Sequence, residues 1–451
     1  MGENRILDNQ AITEKHRMRL FVLSCIALTT AGMVFSIRAT VMEDLGRTFG
    51  IPSETVGWAV GAAFLAFAIS VFIGSPMCDY LGMGRLLGLA SVCFIVGTLM
   101  VIFSQGLVKA TGLAPVTMLY VSWFVVGLAH GLVEAVINPL VATLYRDDKT
   151  HKLNVLHAWW PGGLVIGGVV ALIIRTSGVG GPAHNWQIRL AMILVPTLIY
   201  TAMLFGERFP ATERVQAAVS GKDMLKEALR PLFIVWFLMM FLTAAMELGP
   251  GQWVDAILTK TVGFQGIWLL VYGSALMFIF RHFAGPLAHK FSPVGLMWLS
   301  SLLAGIGLFA ISYAHSPITG LISATIWYIG VCYMWPTMLG VCSERFPRGG
   351  AFLLGLMGSA GNLSIQFVLP IMGRIYDNYT QKALGAAVKL QDLIKRAATD
   401  ETAKQMLEQA RTQAAPMAFR YVAALSLILL VVFGVIWIMD YRRGGYKPEK
   451  I

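Results

Sequence analysis

WFVVGLAHGLVEAVINPLVATLY (residues 123–145) is an apolar run with a carboxylate inside it. About 20 such residues in a helix cross a hydrocarbon core of about 30 Å. His130, Glu134 and Asn138 stand at i, i+4 and i+8. At 3.6 residues per turn the three share one face of that helix. Facing lipid, a carboxylate at the bilayer centre would cost about 3 kcal/mol or more. Glu134 is therefore expected to face the interior of a helix bundle, where a carboxylate can load and release a proton. Pro139, just over one turn later, marks a place where the helix can bend.

Runs of this kind decide the fold, because they recur along the whole chain. Twelve spans are predicted, over 18–42, 55–77, 84–105, 114–144, 154–175, 187–206, 230–258, 265–289, 294–314, 317–342, 350–373 and 415–440. No small-residue cleavage site follows the first, so it reads as a retained helix. Hydrophobic residues make up 57% of the 451 and charged ones 13%, with a mean hydropathy of +0.68. That composition excludes an ordinary soluble domain. The fold expected is an all-α membrane protein with twelve transmembrane helices in two six-helix bundles.

The net charge of +11 belongs to loops beside the spans, so topology accounts for it better than nucleic acid does. One set of loops holds Arg17 and Arg19, Arg146, Lys149 and Lys152, Arg208, Arg214, Lys222 and Lys226, and Arg442, Arg443, Lys447 and Lys450. The short opposite loops hold Arg47, Lys109, Arg175, Arg189 and Lys260. This bias predicts both termini inside the cell and an even number of spans. The polar stretch 207–229 reads as a cytoplasmic linker between an N-terminal bundle, 1–206, and a C-terminal bundle, 230–451. Such a layout suits a transporter whose site lies between two bundles. The charged segment 376–413 reads as an extracellular helical insert. Cys25, Cys78, Cys93, Cys332 and Cys342 show no metal spacing and read as small packing residues. No GxxxxGK[ST] loop is present, so no nucleotide, metal or other cofactor is expected.

Ionisable and amide side chains inside spans are site candidates. In LNVLHAWWPGG (153–163), Asn154, His157 and Trp160 recur every three residues, on one face. An indole with an amide and an imidazole makes a sugar-binding surface, while Trp159 is expected at the membrane interface. In FLTAAMELGPGQWVDAIL (241–258), Glu247 precedes Gly249-Pro250-Gly251, where the helix is expected to break or bend, and Gln252 and Trp253 follow. Arg281, late in span 8, needs an acidic or carbonyl partner. Arg38, in the outer half of span 1, is expected to face Glu134 or Glu247. Asn362 and Gln366 stand at i and i+4 in span 11.

These stretches resemble the major facilitator superfamily, and within it the fucose–galactose–glucose:proton symporter family. GSPMCDYLGMGRL (74–86), with Asp79 and Arg85, is similar to the superfamily's loop motif. EAVINP with LN..H, and AMELGPGQW, are similar to the family's patterns in spans 4, 5 and 7. The likeness covers nearly all the chain apart from 376–413. It implies proton coupling at Glu134, joined by Glu247, and a sugar path past Asn138, Asn154, His157 and Trp160. One departure stands out: Arg38-Ala39 occupies the place of the family's Asn-Asp pair.

The function expected is proton-coupled uptake of a monosaccharide by alternating access, with sodium as the alternative ion. It is a transporter and not an enzyme, with the lipid bilayer as its surroundings. A monomer in a bacterial inner membrane is expected. A uniporter or sugar-acid carrier using Arg38 and Arg281 is the second expectation, and a solute sensor that does not transport the third.

Overall fold

The computed structural model describes residues 12–51, 53–262, 266–397 and 400–450. The first half is α1 (Glu14–Phe49), α2 (Ser53–Leu81), α3 (Met83–Ile102), α4 (Ser104–Thr111), α5 (Pro115–Leu144), α6 (Lys149–Ser177), α7 (Gly181–Ala191) and α8 (Leu194–Leu204). Two short helices follow, α9 (Glu213–Gln216) and α10 (Gly221–Ala228). The second half is α11 (Pro231–Val262), α12 (Gly266–Arg281), α13 (Ala284–Phe291), α14 (Pro293–Ile311), α15 (Pro317–Val331), α16 (Met334–Arg345), α17 (Gly350–Leu384), α18 (Leu390–Arg396) and α19 (Glu401–Arg442). Among the described residues, 11 stretches are long and apolar enough to cross a membrane. The remaining span expected, 265–289, falls on α12 and α13 and includes the shorter apolar helix Val271–Arg281. On α19, Leu427, Val431, Val435 and Ile438 are exposed while Leu429, Phe433 and Ile436 are buried. Apolar residues on both faces suit a helix with protein on one side and lipid on the other.

Three of the helix breaks precede a proline. A proline has no N–H for the carbonyl four residues back, and its ring crowds that carbonyl. Pro196, Pro286 and Pro336 each lie four residues after a break, at 192–193, 282–283 and 332–333. Six other helices, α2, α5, α6, α11, α17 and α19, run through a proline, and in three of them a side chain takes the freed carbonyl. Cys78 donates to Ala135 O at 3.4 Å, below Pro139. Arg281 Nη1 donates to His157 O at 2.7 Å, below Pro161. Trp327 Nε1 donates to Met246 O at 3.1 Å, below Pro250. The break expected at Gly249-Pro250-Gly251 is corrected: α11 is continuous there, and Trp327 on α15 meets the orphan carbonyl.

Within the first half, α5 lies against α2 and α3, and α1 against α6; within the second, α14 lies against α15 and α19, and α11 against α17. The halves meet where α2 and α5 pack on α17, and where α6 packs on α12 and α16. The α1–α6 contact is backbone on backbone. A Cβ on Gly32 would stand 2.2 Å from Trp160 O, and one on Gly163 would stand 2.3 Å from Thr29 O. That contact holds the Trp160 turn of α6 against α1.

Residues 376–413 comprise the end of α17, α18 and the start of α19. Leu393, Ala403 and Leu407 form a small apolar cluster of their own there.

Candidate functional site

Two groups of buried polar residues join at the middle of the molecule. The first starts from Glu134 on α5. Asn138, one turn later, donates its amide to Glu134 Oε2 at 2.9 Å and to Glu134 O at 2.9 Å. Asn138 Oδ1 lies 2.8 Å from His157 Nε2 on α6. An amide oxygen only accepts, so His157 carries its proton on Nε2. The same nitrogen is 3.9 Å from Glu134 Oε2. Glu134 thus has a neutral amide as its direct partner and an imidazole just beyond.

The second group centres on Arg281 of α12. Its Nη1 takes His157 O at 2.7 Å, and its Nε takes Cys332 O at 2.5 Å. Both carbonyls are ones that a proline leaves free, Pro161 in α6 and Pro336 in α16. Its Nη2 lies 3.3 Å from Glu247 Oε1 on α11. Glu247 Oε2 is buried with no partner among the described residues. His157 links the two groups through its side chain and its own carbonyl. A continuous polar chain therefore runs from α5 and α6 of one half to α11 and α12 of the other.

The remaining candidates go elsewhere. Arg38 meets neither Glu134 nor Glu247, which corrects the pairing expected for it. Its guanidinium lies over the rings of Phe35 at 4.5 Å and Phe64 at 4.7 Å, while Arg281 takes the place at Glu247. His130 packs edge-on to Phe67 at 4.5 Å. Asn154 donates to Thr337 Oγ1 of α16 at 3.1 Å, and its Oδ1 is buried without a partner among the described residues. Trp160 meets Phe35 edge-on at 5.7 Å. Trp159 is half-buried and packs against Phe278 of α12 at 5.3 Å. Asn362 donates to Gly358 O of its own helix at 3.0 Å. The side chains of Gln252, Trp253 and Gln366 lie outside the described residues. Asp79 accepts from Arg214 at 2.8 and 2.7 Å and from the Thr212 hydroxyl. Arg85 is exposed, with no ion pair among the described residues, so it is not the charge partner expected. Also among the described residues, no three His, Cys, Asp or Glu side chains gather as a metal site would need.

One end of the contact between the halves is sealed by residues that the sequence did not single out. Lys149, at the start of α6, reaches Glu213 at 2.6 Å and Ser343 O at 3.1 Å. Glu344, at the end of α16, accepts from Thr150 N at 2.9 Å and from the Thr150 hydroxyl at 2.7 Å. The chain after α19 folds back over the same point. Tyr446 donates to Glu344 Oε2 at 2.5 Å, Glu449 N donates to Glu344 O at 2.8 Å, and Arg230 grips both oxygens of Glu449 at 2.9 and 2.6 Å. The Glu449 carboxylate holds the Arg230 guanidinium above its usual range. The available signal was an acid at a span end, Glu344, opposite a basic loop, Lys149–Lys152.

Tyr446→Phe removes one donor from Glu344 and is expected to loosen the tail. A lost hydrogen bond to a charged group costs about 1.5 kcal/mol, roughly tenfold in the open population. Limited trypsin cleavage after Arg443 measures this, and an unchanged rate would count against the latch.

The family profile of the Major Facilitator Superfamily matches residues 20–369. The chain belongs to the Major Facilitator Superfamily. Among curated relatives it is 22% identical over 201 residues to a protein named TsgA homolog of Buchnera aphidicola subsp. Baizongia pistaciae (strain Bp), covering 44% of this chain and 48% of that one. It is 26% identical over 172 residues to a D-xylose transporter of Levilactobacillus brevis, covering 37% and 35%. The chain thus spans less than half the length of these curated relatives. Among solved superfamily structures, the proton:xylose symporter XylE aligns with a TM-score of 0.70 at 14% identity, over 93% of this chain and 96% of that one. A single-residue variant of the E. coli fucose:proton symporter FucP aligns with a TM-score of 0.68 at 14% identity, over 91% and 98%. At that identity the likeness is one of fold.

Proposed function

We propose that this superfamily member is a secondary active transporter that takes up a monosaccharide together with a proton. The observation that carries this reading is Glu134. It is buried in a span, bonded to the neutral Asn138, and touched by no Lys or Arg among the described residues. A carboxylate there is tolerable when it faces a wet cavity between bundles, and useful when its proton is exchanged as that cavity changes side. Glu247 differs, since Arg281 neutralises it in place. Of the two carboxylates, Glu134 is therefore the one assigned to carry the proton, and the Arg281 chain couples it to the second half. The names of the fold's neighbours, a proton:xylose symporter and a fucose:proton symporter, support a sugar as solute.

We read the end sealed by Lys149 and Glu344 as cytoplasmic, on the strength of the Lys and Arg bias in the loops. The conformation described is then closed to the inside.

Purified protein in liposomes tests the reading. With an inward proton gradient, a labelled monosaccharide is expected to accumulate above its external concentration, and to equilibrate without accumulating when the gradient is collapsed. Uptake that ignores the gradient for every solute tried would overturn proton coupling.

A further inference from the structure

We propose that Arg38 is an anion subsite of the transport pathway, so that the solute is a monosaccharide bearing a carboxylate. The inference rests on the transport reading above and names its substrate class. Among the described residues four arginines are buried: Arg38, Arg189, Arg214 and Arg281. Arg189 is paired with Asp44, Arg214 with Asp79 and Arg281 with Glu247. Arg38 has no hydrogen-bond acceptor and no carboxylate partner among those residues, although it keeps 8% of its surface open. A buried guanidinium costs free energy unless its donors are met. The guanidinium carbon of Arg38 lies 4.5 Å from the centroid of Phe35 and 4.7 Å from that of Phe64, two rings set at 77° to each other. The rings attract the cation without accepting its N–H groups in the way an oxygen would, so the guanidinium still lacks a bidentate acceptor. A carboxylate fits that fork in shape and charge.

The surroundings supply the rest of the solute's chemistry. Phe35 lies between Arg38 and Trp160, meeting the indole edge-on at 5.7 Å. Trp160 is half-buried, and an indole is a surface that suits the CH face of a pyranose ring. A sugar acid can lay its ring on the indole and reach Arg38 with its carboxylate.

Charge matching gives the inference a second consequence. Arg281 balances Glu247. The groups facing Glu134 are Asn138 on its own helix and His157 on α6, with Arg281 of α12 beyond at the His157 carbonyl. When Glu134 carries its proton, Arg38 is the unmatched charge of the pathway. A monoanionic solute balances it. One proton and one monoanion then cross together with no net charge, whereas a neutral sugar with a proton carries one positive charge.

The experiment uses labelled D-glucuronate, D-galacturonate, D-glucose and D-xylose in liposomes holding wild type, Arg38→Gln or Arg38→Lys. An inward proton gradient is applied at zero potential and again at a negative-inside potential set with valinomycin. The expected result is gradient-driven accumulation of an acid, at a rate the potential does not change. Arg38→Gln is expected to lower acid uptake roughly 10- to 100-fold, the loss of a charge-assisted bidentate pair, with partial uptake kept in Arg38→Lys. Accumulation of a neutral sugar, quickened by the potential and not inhibited by either acid, overturns the anion subsite and leaves proton symport standing. Acid uptake undiminished in Arg38→Gln overturns it as well. No gradient-driven uptake of any of the four overturns both readings. If Arg38→Gln fails to fold, the potential dependence and acid competition of the wild type decide alone.

Discussion

Glu134→Gln abolishes gradient-driven accumulation and spares solute exchange. The glutamine keeps the size of the side chain and can still accept from Asn138 Nδ2, the contact now at 2.9 Å. It cannot release a proton, so the state with an ionised group beside His157 is lost. A carrier that moves only with its coupling site protonated then shuttles freely when loaded with solute and is indifferent to the gradient. Accumulation is expected to fall from many-fold to none, while exchange of labelled for unlabelled solute at equal pH stays within about threefold of wild type, a change near 0.7 kcal/mol. Glu247→Gln provides the contrast. It strips Arg281 of its carboxylate and leaves a buried guanidinium short of its counter-charge, so it is expected to impair folding and exchange together. Full accumulation by Glu134→Gln would remove Glu134 from coupling.

What the sequence made legible follows from the range over which each interaction acts. The spans could be read because every stretch that crosses lipid must satisfy its own backbone and be apolar outward. The Glu134–Asn138 pair could be read because i and i+4 on one helix are neighbours whatever else the chain does. Helix breaks could not. Pro250 and Pro336 look alike in sequence, yet α11 runs on and the α15–α16 helix parts. Both freed carbonyls are met from another helix, Met246 O by Trp327 and Cys332 O by Arg281, and neither partner is near in sequence. Charge pairing was hidden for the same reason. Arg38 and Arg281 were equal candidates for a carboxylate, and only packing decides that Arg281 meets Glu247 while Arg38 meets two phenyl rings. The sealed end, with Tyr446 folding back on Glu344 across 102 positions of sequence, left only an acid at one span end and a basic loop at another, with nothing to say that they meet.

Arg281→Met is expected to be the most destabilising single change in the second half. It leaves Glu247 charged and unpaired in the interior, a loss of about 3 to 5 kcal/mol. It also orphans His157 O and Cys332 O, which no helix N–H serves because Pro161 and Pro336 follow. At 2 to 4 °C per kcal/mol for a unit of roughly 200 residues, the melting temperature in detergent falls by about 6 to 20 °C. Arg281→Lys keeps the charge and loses the fork, so one ammonium must choose among three acceptors on three helices. Its melting point is expected between wild type and Arg281→Met. The double variant Arg281→Met with Glu247→Gln separates the two causes, since it removes the unpaired charge and leaves the carbonyls unserved. It is expected to recover part of the lost stability and none of the transport. A structural cation alone would be restored by that double change. A guanidinium that ties α6 to α11, α12 and the α15–α16 break would not, because the movement of one half would no longer be felt at His157 and, through Asn138, at Glu134. Melting and transport near wild type in Arg281→Met would refute the linkage between the halves.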